Sequence, residues 1–220
     1  AVRQDLAIRE FLESRHYEAF TIHFEVLGED GRYRQLPFLA ASALMAEGYG
    51  YAAEGDAMCA TMLSAAQQMT GKMATFTEMY AMDFKEQAIL MCHAGESNWN
   101  IARKEKKPRL IDKVFNEGGL DNPPTPLFTP EPGPCTIVSF APVMGDKFRM
   151  LVCDGDIIDK EDLNGCEMPY LFFKPKCGME HCVETWLKNG GTHHEIVTAG
   201  KTSACWKMLA QMLGIELCVI

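Results

Sequence analysis

Apolar and polar positions in the N-terminal third of the chain switch between helical and strand periodicity. Apolar residues near helical spacing predict a helix over residues 5–15, and alternation predicts a strand over residues 19–26. Apolar helices are then predicted over residues 38–46 and 57–69. Helices that alternate with a strand are typical of an α/β layered domain, and residues 1–73 would form only part of one.

The rest of the chain shows many short strand patterns separated by glycine and proline. Strands are predicted over residues 75–84, 87–93, 135–141, 147–153, 155–158 and 170–173. This pattern predicts a β-barrel or a β-sandwich within a second domain, residues 74–220. Helix, strand, helix and strand follow over residues 182–188, 195–197, 203–213 and 216–220. The proline-rich residues 116–134 predict an extended loop or a lid.

Composition narrows the classes of function. The chain has 220 residues, of which 47% are hydrophobic and 23% charged, as in ordinary globular proteins. Its net charge of -9 argues against unassisted binding to nucleic acid or to an anionic membrane, because basic patches drive both. We see neither a signal peptide nor an uncharged apolar run of about 18 residues, and we expect a cytoplasmic protein without a membrane partner.

Nine cysteines are scattered along the chain without the regular spacing of a disulfide-bonded domain, which favours a reducing compartment. Cys166, Cys177, His181 and Cys182 come near the spacing of a zinc site. They match no tight zinc ribbon or finger, and isolated buried thiols are the favoured interpretation.

Two glutamates stand out as candidate site residues. Glu54 lies in a run of glycines, tyrosines and alanines that would hold its carboxylate close to a ligand. The alternative is that Glu54-Gly55-Asp56 is only a turn, with Asp56 capping the following helix. Glu78 shares one face of a predicted strand with Phe76 and Tyr80, because side chains alternate along a strand.

Histidines supply the matching nitrogen ligands. The same alternation would put His93 in the row of Ile89 and Met91, where a core or rim histidine is the alternative to a ligand. Of His193 and His194, only one could bind a metal, since neighbours in an extended segment face opposite ways. Two carboxylates and two imidazoles would suit Mn²⁺ or Mg²⁺, or else Co²⁺, more than a closed structural zinc.

Several separated motifs together resemble the C-terminal part of the L-arabinose isomerase family. They are, in order, Ala19-Phe20-Thr21 with Phe24, Gln35-Leu36-Pro37, Leu44 to Tyr51, Glu54-Gly55-Asp56, Phe76-x-Glu78-x-Tyr80, His93-x-x-Glu96 and Gly190-Gly191-x-His193-His194. The resemblance implies an α/β fold, in which part of an α/β layer domain is followed by a C-terminal domain with an antiparallel β-barrel and flanking helices.

It also implies a metal-dependent aldose–ketose isomerase that usually uses Mn²⁺. Carried over position by position, the metal ligands would be Glu54, Glu78, His93 and His194. Glu54 and Glu78 would also be the acid/base pair, moving a proton between C1 and C2 of an open-chain sugar through a cis-enediol. The implied substrate contacts are His193, Tyr80, Phe24 and Gln35.

The family further implies a trimer or hexamer in which N-terminal domains complete the substrate pocket. Because the chain opens on Ala1 without an initiator methionine, we expect that an N-terminal portion is missing or that this is a short relative. The alternative function is a non-catalytic sugar-binding or assembly module that keeps the isomerase scaffold.

Overall fold

The computed structural model describes residues 1–115, 119–160, 163 and 165–220. The helices are α1 (Val2–Arg15), α2 (Phe24–Asp30), α3 (Phe38–Ala46), α4 (Ala57–Thr70), α5 (Met179–Lys188) and α6 (Ser203–Leu213). The strands are β1 (Ala19–Ile22), β2 (Gly50–Ala53), β3 (Ala74–Asp83), β4 (Ala88–Cys92), β5 (Arg109–Asp112), β6 (Pro124–Leu127), β7 (Gly133–Pro142), β8 (Phe148–Ile157), β9 (Tyr170–Pro175), β10 (His194–Ala199) and β11 (Glu216–Val219). In the described part of the chain, no helix combines the length and the apolar character needed to cross a membrane.

Strands β1 and β2 pair in parallel, and α4 packs closely against them. Local signals set both ends of α4. The Asp56 carboxylate accepts a hydrogen bond from the Cys59 amide at 2.9 Å, and Gly71 ends the helix in a left-handed conformation. A Cβ on Gly50 would lie 2.0 Å from the Ala60 carbonyl oxygen, so this strand can touch the helix only through a glycine.

The predicted strand over residues 19–26 is wrong in its second half. The strand stops at Ile22, and α2 begins at Phe24. The partner strand explains this, since β2 ends at Ala53, opposite Ile22. Among the described residues, no strand lies beyond that pair to receive further hydrogen bonds, and the alternating pattern alone does not maintain an extended backbone.

Six antiparallel strands form a closed barrel in the order β8-β7-β10-β3-β4-β9, which closes because β9 pairs back to β8. Strand β11 extends the sheet by a parallel pairing with β8. The buried core between these strands includes Ile89, Met91, Ile137, Leu151, Phe173 and Val197, together with Met179 and Trp186 from α5. The predicted α/β fold with an antiparallel β-barrel and flanking helices is therefore confirmed.

A second core joins the outer face of the barrel to α4 and α6. Its buried members include Met45, Ala60, Leu63, Phe76, Ile196 and Trp206. Because residues on both sides of position 73 share this core, the loop after β2 is held against the outer face of β3 and β10. The division into domains at residues 1–73 and 74–220 stays a prediction.

The proline-rich stretch is not wholly an extended loop. Within the described residues, β6 forms an antiparallel pair with β5, while residues 116–118 lie outside the described part. Pro124 and Pro126 occupy alternate positions, which leaves the N–H groups of Thr125 and Leu127 for pairing. Proline is tolerated in such an edge ribbon when its side of the strand needs no donor.

Candidate metal centre

Glu54 is presented on a sharply turned backbone. Strand β2 ends at Ala53, and Glu54 then adopts a left-handed conformation with φ 60°, followed by Gly55 at φ 81°. Such a backbone is uncommon for a residue with a side chain and persists only where the surroundings enforce it. Its side chain is 40% exposed, so a carboxylate held by the fold remains open to a ligand.

Two buried imidazoles face this carboxylate. His93 Nε2 lies 3.8 Å from Glu54 Oε1, and His194 Nε2 lies 3.7 Å from Glu54 Oε2. Ligand atoms of all three residues lie within 4.8 Å of one another. Two ligands that bind one ion at about 2.0–2.2 Å are at most about 4.4 Å apart, so the two measured separations fit a shared cation.

Each imidazole is oriented by a second carboxylate. His93 Nδ1 bonds Glu96 Oε1 at 3.0 Å, and the Tyr51 hydroxyl donates to the same oxygen at 3.2 Å. His194 Nδ1 bonds Asp56 Oδ2 at 3.1 Å. Because ionised carboxylates only accept, a proton belongs on each Nδ1. In the neutral imidazole that binds a metal, Nε2 then offers its lone pair.

The His194 ring supplies a direct test of whether the site fits a cation. Its Nε2 is buried and has no hydrogen-bond partner among the residues that the structure describes. A buried nitrogen acceptor left without a partner is costly unless something else binds it. A cation between His194 and Glu54 would satisfy this atom, so the donor set fits a metal.

Glu78 joins the site from the opposite strand. In the β3–β10 pair it stands directly across from His194. A ligand atom of Glu78 lies within 4.8 Å of ligand atoms on both His193 and His194. His194 belongs to both groups of three, and Glu54, Glu78 and His93 border the same cavity. The four predicted metal ligands are therefore neighbours in the structure.

Two expectations drawn from side-chain alternation are wrong. The rings of His193 and His194 lie side by side, with centroids 4.2 Å apart, because β10 begins only at His194. His93 leaves the row of Met91, which is in the barrel core, and packs against Phe76 with ring centroids 4.7 Å apart. The reason is similar, since β4 ends one residue earlier, at Cys92.

Electrostatics keep the two orienting carboxylates charged. Burial opposes ionisation of Glu96, but the charge and hydrogen bond of His93 outweigh it and lower the pKa of Glu96. Burial likewise opposes a charged His93, yet its carboxylate neighbours, Glu96 first, raise the pKa of His93. The pKa of Asp56 is lowered despite burial, chiefly by the hydrogen bond to His194. Burial, together with Glu96, raises the pKa of Tyr51 well above its usual value, which keeps its hydroxyl a donor.

A cavity of about 390 Å³ opens beside these ligands. Its wall includes Glu54, Glu78 and His93, together with two of the predicted substrate contacts, Phe24 and Tyr80. This volume is in the range of small-molecule sites. The other two predicted contacts, His193 and Gln35, are not on this wall. The His193 ring lies against that of His194, and the Gln35 side-chain amide donates to the Asn122 carbonyl at 3.0 Å.

Three residues that matter at the site were not selected from the sequence. The sequence predicts Asp56 only as a helix cap; it performs that role with one carboxylate oxygen, while the other bonds His194. A local signal could have identified Glu96, because it follows His93 by three residues. Lys113 is buried and lines the cavity, but nothing in the surrounding sequence marks it.

Comparison with known proteins shows the family of the chain. A family model described as the L-arabinose isomerase C-terminal domain matches residues 73–216, and one described as the L-arabinose isomerase central domain matches residues 1–72. Similar curated proteins include the L-arabinose isomerases of Clostridium beijerinckii, 33% identical over 98% of this chain, and of Pediococcus pentosaceus, 34% identical over 97%. That of Pectobacterium atrosepticum is 33% identical over the whole chain.

The chain spans a little under half the length of these relatives, between 44% and 45% of each. The two family models nevertheless cover it almost end to end, in the same order as the motifs that first suggested the resemblance. The chain therefore belongs to the L-arabinose isomerase family, and it corresponds to the central and C-terminal parts of such a protein.

Proposed function

We propose that this chain carries the metal-binding and proton-transfer part of an aldose–ketose isomerase acting on an open-chain sugar. One observation supports this above the others: two carboxylates and two imidazoles converge beside a cavity, with both Nε2 atoms directed at Glu54. Such an arrangement places ionisable oxygens next to a polyol-sized space while keeping the imidazoles oriented.

Glu54, Glu78, His93 and His194 would hold the cation, for which Mn²⁺ is proposed, with Co²⁺ or Mg²⁺ as alternatives. When bound, the cation would polarise the carbonyl and hydroxyl oxygens of the sugar and stabilise negative charge. Oxygen and nitrogen donors with an open side suit such ions better than a closed thiolate site would. Asp56 and Glu96 would keep the imidazoles in the ligating orientation.

The proton transfer would fall to Glu54 and Glu78. One carboxylate takes the proton from C2 of the aldose and exchanges it with solvent, and a solvent-derived proton is then delivered to C1 as the ketose forms through a cis-enediol. Both residues border the cavity, so both can reach a sugar held there. Phe24 and Tyr80 would cover the sugar and limit access of water, and His193 would contact a hydroxyl.

The cavity is open on one side, and Tyr80 on its wall is 64% exposed. An aromatic residue so exposed beside a site is suited to contact with another protein surface. We propose that an N-terminal portion, supplied within a trimer or hexamer, completes the pocket. The sugar itself is left to experiment.

Hydrogen exchange at the sugar provides the decisive test. The chain, mixed with the N-terminal portion of one of its L-arabinose isomerase relatives so that the pocket is complete, is incubated with Mn²⁺ and a panel of pentoses, hexoses and deoxysugars in D₂O. The products are followed by NMR. Isomerisation by proton transfer predicts a ketose with deuterium at C1. Glu78→Gln is expected to reduce the rate at least about 100-fold, since it removes a proton-transfer group.

Glu184→Gln is the matched control, because Glu184 is an exposed acid that pairs with Lys188 outside the site. Its rate should equal that of the unaltered chain. Bound Mn²⁺ without ketose or exchange for any sugar would reject the isomerase and favour a non-catalytic sugar-binding module. Equal rates for Glu78→Gln and the unaltered chain would reject the assigned role of Glu78.

Lys113 is proposed to donate a hydrogen bond to the sugar. A charged hydrogen bond of this kind contributes about 1.5–3 kcal/mol, so Lys113→Met should weaken sugar affinity by roughly tenfold or more. Calorimetric titration of the Mn²⁺-loaded chain with the preferred sugar measures this. Lys147→Met, at an exposed lysine between β7 and β8, should bind normally. Equal affinity in both variants would contradict the role of Lys113.

A further inference from the structure

The geometry points to a second cation site, built from the thiols of Cys153, Cys177 and Cys182 and suited to a thiophilic ion such as Zn²⁺ or Cd²⁺. The Cys182 and Cys153 sulfurs lie 3.6 Å apart, and those of Cys153 and Cys177 lie 3.9 Å apart. All three sulfur atoms fall within 4.8 Å of one another. This cluster contains none of the ligands around Glu54.

These separations match the edges of a thiolate coordination shell. With a metal–sulfur bond of about 2.3 Å, two sulfurs on a tetrahedral ion are about 3.8 Å apart. The cysteines are free, and a disulfide would require a sulfur separation of about 2.05 Å. A disulfide would also use only two of the three thiols. Three thiols at van der Waals separation are thus arranged for a shared cation rather than for a cross-link.

The fold holds the thiols on different elements. Cys153 lies on β8, Cys182 lies in the first turns of α5, and neither is exposed. Cys177 lies in the turn between β9 and α5, and two backbone bonds fix this turn: Lys176 N–H to the Asp154 carbonyl, and Gly178 N–H to the Pro175 carbonyl. The N-terminus of α5 also favours negative charge on nearby sulfur.

Cys177 is only partly buried, which gives the cluster an open side. An ion could enter there and take water or a small thiol as its fourth ligand. Two of these three thiols, Cys177 and Cys182, belong to the candidate zinc set of the sequence analysis. The other two members of that set, Cys166 and His181, lie outside the cluster. His181 is exposed on α5, and Cys166 packs with Tyr170 and Phe172 in a different cluster.

The Cys177 and Cys182 sulfurs both lie within hydrogen-bond distance of the Cys153 sulfur. Hydrogen bonding with Cys182, together with burial, raises the pKa of Cys153 far above its usual range. Burial and the neighbouring Cys153 raise the pKa of Cys177 to about 11. A cation binds only thiolates, so binding must release protons. Proton release is therefore a second signature of the site, independent of absorbance.

Cadmium titration tests the site. Cd²⁺ is added to the reduced, metal-free chain while ultraviolet thiolate-to-metal absorption, which oxygen and nitrogen ligands do not produce, and proton release are recorded. One Cd²⁺ per chain is expected, with both signals rising together. Cys177→Ser, chosen because this residue is partly exposed and its loss leaves the core intact, should weaken binding at least tenfold.

Cys205→Ser is the matched control, since Cys205 is also partly buried but lies on α6 outside the cluster. It should leave the titration unchanged. Cys153→Ala, with its fold checked by circular dichroism, should abolish the absorption. The proposal is overturned if no thiolate absorption develops, if Cys177→Ser retains it at full affinity, or if Cys205→Ser loses it equally. None of these outcomes bears on the proposed isomerase.

Discussion

Mn²⁺ at a hundredfold excess over its dissociation constant is expected to stabilise the chain by about 2.7 kcal/mol, because only the folded state brings its ligands together. For a protein of this size that corresponds to a rise of roughly 5–10 °C in the unfolding temperature. The comparison is a thermal scan with Mn²⁺ against one with EDTA. His194→Asn should remove most of the rise, because the unpartnered Nε2 is lost.

Two further variants sharpen this prediction. Asp56→Asn keeps all four ligands but alters the group that orients His194, and should weaken Mn²⁺ affinity about 10–100-fold without abolishing binding. His181→Asn changes an exposed histidine on α5 that is not one of the four ligands, and should retain the full rise. A rise of the same size in His194→Asn and His181→Asn would refute the proposed metal centre.

Gly50→Ala should lower the free energy of unfolding by about 4 kcal/mol, near the upper end of single-residue effects. Its Cβ would lie 2.0 Å from the Ala60 carbonyl oxygen and 2.9 Å from the Ser64 amide nitrogen. Both are backbone atoms of α4, so no side chain can rotate away and the helix itself must move. Since Asp56 caps that helix, the His194 contact should be displaced as well.

Gly71→Ala is the control that distinguishes a steric clash from the backbone strain of a non-glycine residue at positive φ. Gly71 has φ 60°, and a Cβ there would meet no atom within 4 Å. Alanine in this conformation should cost only about 1–2 kcal/mol. Urea unfolding of both variants, monitored by tryptophan fluorescence, gives the two values. If Gly50→Ala proved no more costly than Gly71→Ala, the close contact between β2 and α4 would be wrong.

Local signals in the sequence predicted much of the fold. The cap at Asp56 and the stop at Gly71 fix α4 without any tertiary information, and the helix is found where they place it. The second half of the predicted strand over residues 19–26 failed because its outcome depends on where a distant partner, β2, ends. The pairing of β6 with β5 was missed for a related reason, since prolines hide strand character from any local pattern.

The candidate site likewise contains residues that the local sequence predicts and contacts that it cannot predict. Glu54 and Glu78 were identified by the residues around them, but the choice among the histidines rested on family resemblance. The contact of Asp56 with His194 joins residues 138 positions apart, which no periodicity can predict. The thiol cluster shows the same limit, since Cys177 and Cys182 are neighbours in sequence while Cys153 comes from β8.

The carboxylate of Glu54 comes from the turn after β2, whereas His194 belongs to the barrel. A cation shared between them would act as a removable cross-link between early and late segments of the chain. An ion that binds the folded state, but neither the unfolded state nor the folding transition state, stabilises the folded state alone. Loading the ion should then slow unfolding while leaving the rate of refolding nearly unchanged, and chelation should return the unfolding rate to its metal-free value.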